Sequence, residues 1–330
     1  MNKVKKTVPL LAIVLSCWLT LAGCANIFAE PQEFPAPLIT KIGTESHLEV
    51  EFASNMTFPK NKTAPIYKMV AEQDSILRES VSQAVGVDLS SLTAFFDNNE
   101  GCSYYNLITE DGYIRVIIDE AVGFWQYYSK TSLENTEHNE YISQMLRAEA
   151  SLPTEAQAIE IARDYIRQNE LYDGDLGDIG IGYTTTGSEF DENGEIMIER
   201  QVVFYPDIGG YNVYGLFKIA VTIGANGEII GVIKQVNPVE AVGTVTLKTQ
   251  AEIIKEVKTN SSSVSASAVD LKNAVITECR LAYYVDAYAH NGTAYAYPVY
   301  IMLGQGVFAD DAARRQSEES FDIIVDAVKR

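Results

Sequence analysis

A chain of 330 residues with 45 acidic and 25 basic side chains carries a formal charge of −20, which argues against a nucleic-acid or anionic-lipid surface binder. Acids spread along the chain act as a solubilising surface, and they equally attract cations and basic peptides. The length allows two or three domains with cores of their own, while four cysteines are too few for a disulfide scaffold.

The chain opens with Lys3, Lys5 and Lys6, continues through an uncharged apolar run and reaches Leu21-Ala22-Gly23-Cys24. A basic start, an apolar stretch and a small-residue cleavage site are the parts of an export signal in their usual order. The tetrapeptide resembles the lipobox of bacterial lipoproteins. That resemblance implies a lipid on the Cys24 thiol, cleavage between Gly23 and Cys24, and a position on the extracytoplasmic face of the cell membrane. An uncleaved spanning anchor is the alternative, and it leaves the remainder of the chain on the same side. Removing residues 1 to 23 takes away three lysines and no acid, so the charge of −20 becomes −23.

Residues 24 to 37 hold three prolines and little periodicity, as expected of an extended tether. A first domain is expected over 38 to 150. It starts with an alternating strand at 47 to 52 and an amphipathic helix over 71 to 85 that Gly86 ends. Strands at 103 to 109 and 113 to 118 flank Asp111-Gly112, a hairpin signal. A third strand follows at 123 to 128, and then a mostly helical connection to 150.

At Leu152 the character changes. Thr154 and Gln157 are spaced as a capping box, opening a helix whose inner face is Ala158, Ile161, Ala162, Tyr165 and Ile166. Strands are expected at 179 to 185, 196 to 205, 216 to 223 and 228 to 235, with Asn193-Gly194 and Asn226-Gly227 at tight turns. Leu247-Lys-Thr249-Gln-Ala251 then repeats Leu152-Pro-Thr154-Glu-Ala156. Its own capping box, Thr249 to Glu252, opens a short helix, and strands follow at 274 to 285 and 295 to 303. This order reads as a duplicated helix-plus-sheet unit, 151 to 243 and 244 to 330.

The Leu152-Pro-Thr-Glu-Ala-x-Ala-Ile-x-Ile-Ala start resembles PepSY-type and YycH/YycI-type extracytoplasmic proteins. So do the segments from Val203-Phe-Tyr to Gly215-Leu-Phe-Lys-Ile-Ala-Val-Thr-Ile-Gly224, and Leu281-Ala-Tyr-Tyr with Tyr297-Pro-Val-Tyr300. The resemblance covers residues 150 to 305. It implies an α+β fold in which antiparallel sheets are each packed by a helix, in tandem after a separate N-terminal α+β domain. It also implies a binding or inhibitory role outside the cell. YycI-like proteins regulate a membrane sensor kinase through a transmembrane helix, and here a lipobox stands in that place.

Signatures of catalysis are scarce. His47, His138 and His290 lie at no metal-binding spacing, and there is no Gly-x-Ser-x-Gly elbow or paired Cys-x-x-Cys. Residues 173 to 184 have Asp178 where a calcium loop needs glycine and Thr184 where it needs glutamate, and so read as a solvated turn. No catalytic, metal or cofactor residue is assigned. Cys102 and Cys279 are either a disulfide or two buried thiols. The adjacent tyrosines 104–105, 127–128 and 283–284 are each expected to place one ring in the core and one at the surface, either as ordinary packing or as a recognition face. The expected function is a noncatalytic binding or regulatory module with a protein or peptide partner, held at the membrane by its lipid. The alternative is an envelope hydrolase acting through paired carboxylates.

Overall fold

The structure, a computed structural model, describes residues 34–37, 39, 50–71, 74–99, 102–110, 112–129, 136–146, 151–185, 197–259, 264–266, 271–286, 293–308 and 318–330. The chain divides into two compact units, Met1–Ala36 and Pro37–Arg330. Only 34 to 36 of the first are described, without regular secondary structure. Gly23 and Cys24 therefore lie outside the described residues.

The second unit begins with strands β1 (Val50–Phe52) and β2 (Thr63–Met69) and helix α1 (Asp74–Val85). Four strands follow: β3 (Thr93–Asn99), β4 (Cys102–Ile108), β5 (Arg115–Asp119) and β6 (Phe124–Tyr128). Helices α2 (Thr136–Leu146) and α3 (Glu155–Gln168) lead to β7 (Asp178–Thr185), β8 (Met197–Tyr205), β9 (Val213–Gly215), β10 (Ile219–Ile223), β11 (Ile229–Lys234) and β12 (Val239–Thr246). The last elements are α4 (Gln250–Lys258), β13 (Val264–Ala266), β14 (Leu271–Val285), β15 (Tyr295–Phe308) and β16 (Glu318–Asp326). The fold class is α+β.

One eight-stranded sheet has the order β3-β4-β5-β6-β11-β10-β8-β7, with every pairing antiparallel. The order is a mirror image about the β6–β11 pair. On one side α1 precedes a four-strand meander, and on the other α3 precedes a second. Leu77, Val81 and Ala84 of α1 and Ala158, Ala162 and Ile166 of α3 are all buried in one core with Val116, Ile118, Trp125, Val202, Phe204, Val221 and Val232. Both helices thus cover the same sheet, each with one apolar stripe. Burying such a side chain contributes about 1.5–3 kcal/mol. The helix-plus-sheet unit expected from Leu152 onward therefore has a counterpart at 74 to 128 that shares no obvious sequence with it.

The other sheet runs β1-β14-β15-β16-β13, with β2 joined to β12 and β15 and β9 joined to β14. Helix α4 buries Ile253 and Val257 against Ile276, Cys279, Leu281, Tyr300, Met302 and Ile323. Two expectations need correction. This sheet is not wholly antiparallel, because β1 and β9 both run parallel to β14; each is a three-residue strand added at β14 from a distant part of the chain. Among its described residues, segment 38 to 150 also has no sheet of its own. Its strands β1 and β2 lie in one sheet and β3 to β6 in the other, since edge strands left by each meander pair across the expected boundary at 150.

Both capping boxes formed as read, whereas the turn expected at Asn193-Gly194 lies outside the described residues and the helix expected over 71 to 85 spans Asp74–Val85. Thr154 Oγ1 accepts from Gln157 N at 3.3 Å while Gln157 Oε1 accepts from Thr154 N at 2.9 Å. Thr249 and Glu252 do the same for α4 at 3.4 and 2.7 Å. In the β4–β5 hairpin Thr109 Oγ1 accepts from the amides of Tyr113 and Ile114, and Gly112 takes φ +75°, a conformation costly for any side chain.

Candidate ligand pocket at the end of the third helix

Strand β11 alternates as a half-buried strand must, placing Ile230, Val232 and Lys234 on the side that faces the helices. Ile230 and Val232 are 0 % and 1 % exposed, and Lys234 is 5 % exposed. An ammonium thus occupies a position whose pattern calls for an aliphatic residue. Its Nζ donates to Asn237 Oδ1 at 3.1 Å. Asn237 donates in turn through Nδ2 to the Val122 carbonyl, in the turn joining β5 to β6. Glycine at 123 admits that amide, because a Cβ there would stand 2.8 Å from Asn237 Nδ2. Across the β6–β11 pair, Lys234 is in register with the buried Trp125.

Lys234 lines a cavity of about 620 Å³ bounded by the last turn of α3, the loop after it and residues 236 to 238, within the size range of small-molecule sites. Buried Ile166, Leu171 and Val236 give it an apolar wall, and Asn237 lies beside the ammonium. Arg163, Arg167, Glu170 and Asp173 line it with exposed side chains. Arg163 pairs with Glu160 at 3.0 Å and Arg167 with Asp164 at 2.7 Å, each three residues apart on the helix. Exposed pairs of this kind contribute only a few tenths of a kcal/mol, so either guanidinium re-pairs at little cost.

The end of α3 is closed by the amide of Leu171 donating to the Ile166 carbonyl at 3.0 Å. That closure puts Glu170 at φ +49°, the left-handed conformation that glycine usually supplies after a helix. A side chain there costs about 1 kcal/mol. Glu170 nevertheless lines the cavity.

Near the loop that follows, partial burial pushes the Asp207 carboxyl up, and the charges of Asp178 and Asp175 push it further. Asp175 accepts from the Gly177 amide at 3.0 Å and Asp178 from Asn212 Nδ2 at 3.1 Å, so these two carboxylates also hold local structure. A second hollow, beside the N-terminus of α3 and lined by Ala156, Gln157, Glu160 and Asp164, is a shallow groove.

No known family model matches the chain, and no curated protein matches it. Among solved structures, an uncharacterized protein from Eubacterium rectale is similar at 11 % identity over 88 % of this chain and 92 % of its own, with a TM-score of 0.46. The Bacillus megaterium YpeB C-terminal domain is similar at 9 % identity over 76 % of this chain and 98 % of its own, with a TM-score of 0.31.

Of the residues singled out in sequence, Cys279 is a buried free thiol on β14. Burial, and then the charge of Glu278, push that thiol up to about 12. Cys102 lies on β4 in the other sheet; its side chain, and those of the three histidines, lie outside the described set. Among the described residues no three or more His, Cys, Asp or Glu are grouped to hold a metal ion. The tyrosine pairs divide. Tyr127 is buried in the core and Tyr128 half-buried on the opposite face, its hydroxyl donating to Gln126 Oε1 at 2.7 Å. Tyr283 and Tyr284, in contrast, are both buried, in apolar clusters on opposite faces of β14, which corrects the expectation of one exposed ring. The sequence reading passed over Lys234, Asn237 and Glu170. One signal was available, a lysine in the inward register of Ile230-x-Val232-x-Lys234.

Proposed function

We propose that the protein is a lipid-tethered, noncatalytic binding module on the outer face of the cell membrane, built of PepSY-like helix-plus-sheet units. The observation that carries binding is the pocket: ligand-sized, partly apolar, with a lysine ammonium held deep in its wall. The tether rests on the Leu21-Ala-Gly-Cys24 tetrapeptide and the proline-bearing spacer after it. Cell fractionation of the Cys24→Ala variant tests this reading. Loss of the protein from the membrane, or retention as a slower-migrating unprocessed form, supports the tether. A variant that stays fully membrane-bound with unchanged mobility would overturn it in favour of a spanning anchor.

One observation favours the second reading, an envelope hydrolase. Asp207 has a carboxyl raised by partial burial and by the charges of Asp178 and Asp175, and a carboxyl shifted up among other acids is the kind of group a general acid is drawn from. Asp207→Asn tests it: if this change removed a hydrolytic activity of the purified protein, the second reading would replace the first.

A further inference from the structure

The antiparallel sheet ends at β7, whose only strand partner among the described residues is β8. In an antiparallel pair every second residue turns its amide and carbonyl away from the partner, so β7 presents a row of backbone donors and acceptors along its outer side. Residues 179 to 185 read Ile-Gly-Ile-Gly-Tyr-Thr-Thr. They hold no charge and no proline, the usual devices that stop an edge from pairing. Ile179 and Ile181 face the helix side, in register with the buried Phe204 and Val202, and Tyr183 beyond them is 63 % exposed. Asp178, Gly180 and Gly182 share the other face. There the Tyr205 ring lies over Gly180, where a Cβ would stand 3.2 Å from it, whereas a Cβ on Gly182 would meet only Gln201 Cβ, at 3.9 Å. Gly182 is thus a bare notch beside the edge. The start of the strand is anionic. Asp175, Asp178 and Asp207 are exposed, and their hydrogen-bond partners among the described residues are two neutral groups, the Gly177 amide and the Asn212 side chain.

We infer that β7 takes up an extended peptide segment of a basic partner as an added antiparallel strand, with an aromatic side chain over Gly182 and a lysine or arginine four residues later beside Asp178. None of residues 178 to 185 lines the cavity at the end of α3, so this surface goes beyond the pocket and does not rest on it. Main-chain hydrogen bonds to the edge supply the affinity, and alternate side chains supply the specificity. Antiparallel addition continues the pairing found throughout this sheet. It also sets the order of the two side chains, because a strand running against β7 passes Gly182 before Asp178, and residues four apart fall on one face. A glycine in an edge strand leaves nothing to pack against, and an aromatic ring from the neighbouring strand makes up for it. Charge selects the partner. The three aspartates at the start of β7 favour a cation, whereas a second copy would bring the same acids and its own charge of −20.

The test uses the full chain in detergent micelles and the peptide Thr-Tyr-Val-Ser-Val-Lys, labelled with fluorescein at its N-terminus and amidated at its C-terminus. Its tyrosine falls opposite Gly182 and its lysine opposite Asp178. Fluorescence anisotropy rises to saturation. Replacing the lysine by glutamine weakens binding about two- to fivefold at low salt, the value of one exposed ion pair. That difference disappears in Asp178→Asn and at high salt. Two further peptides carry N-methyl groups on alternate residues. Only one set of peptide amides points at β7, so one of these peptides binds as the parent does and the other does not bind. Hydrogen exchange followed by mass spectrometry shows amides in 178 to 185 slowed by the peptide, and those of β3, at the other end of the sheet, unchanged. Absence of saturation, protection confined to residues outside β7, or parental affinity in both N-methylated peptides would each overturn the inference. Dimerisation of the chain alone that protects the same β7 amides would assign the edge to a second copy, and would overturn it as well.

Discussion

The Tyr165 hydroxyl donates to the main-chain carbonyl of Ala84 at 2.8 Å, so the helix of one four-stranded unit is fastened to the last turn of the helix of the other. Burial holds the phenol far above the ordinary tyrosine range, and it stays a protonated donor. Tyr165→Phe removes the donor and leaves a carbonyl to find another. The expected cost is about 1 kcal/mol, read as a shift of the urea midpoint with unchanged slope. A loss of slope instead would mean that the two units had begun to unfold separately.

Glu252 links the α4 cap to the C-terminal segment. Lys329 Nζ stands 2.8 Å from Glu252 Oε1. That contact first, and then the Thr249 amide and hydroxyl, bring the carboxyl from 4.5 down to about 2. A carboxyl depressed by folding stabilises above its unfolded pKa and loses that contribution as pH falls through the folded one. The gap in melting temperature between wild type and Glu252→Gln is therefore full at pH 6, narrows from about pH 4.5 and closes near pH 2. A gap that did not vary with pH would remove the carboxylate from this role.

Cys279 is 6 % exposed and its thiol is pushed up to about 12, so almost no thiolate forms at neutral pH. Iodoacetamide leaves the native protein unmodified at Cys279 and labels it in urea without reductant. If labelling in urea required a reductant, a disulfide, with Cys102 as the candidate, would replace the free thiol.

Glu170→Gly tests the helix end by itself. Removing a side chain from φ +49° raises stability by up to about 1 kcal/mol, seen as a higher melting temperature. A fall in stability would show that the Glu170 side chain contributes to the native fold.

Features encoded by near neighbours could be read from the letters. The capping boxes at Thr154 and Thr249 need only four consecutive residues, and the Gly112 hairpin needs a turn between alternating runs. What escaped depends on distance along the chain. The β2–β12 pairing joins Thr63 to Thr246, and β6–β11 joins Tyr128 to Gly231; no local pattern specifies which edges meet. The first helix-plus-sheet unit went unrecognised as a counterpart because an apolar stripe and a meander can be written in many residues. The pocket was hidden for the same reason, since Arg163 and Glu170 at the end of α3 meet Lys234 and Asn237 at the end of β11 only through the packing of helix on sheet. Lys234 alone left a trace, as a charge in an inward register.

The central claim is that this protein holds a ligand without transforming it. Purified protein incubated with short peptides, peptidoglycan fragments and chromogenic glycosides should return every one of them unchanged. Turnover that survives repurification, and that disappears with one carboxylate substitution such as Asp207→Asn, would contradict the claim.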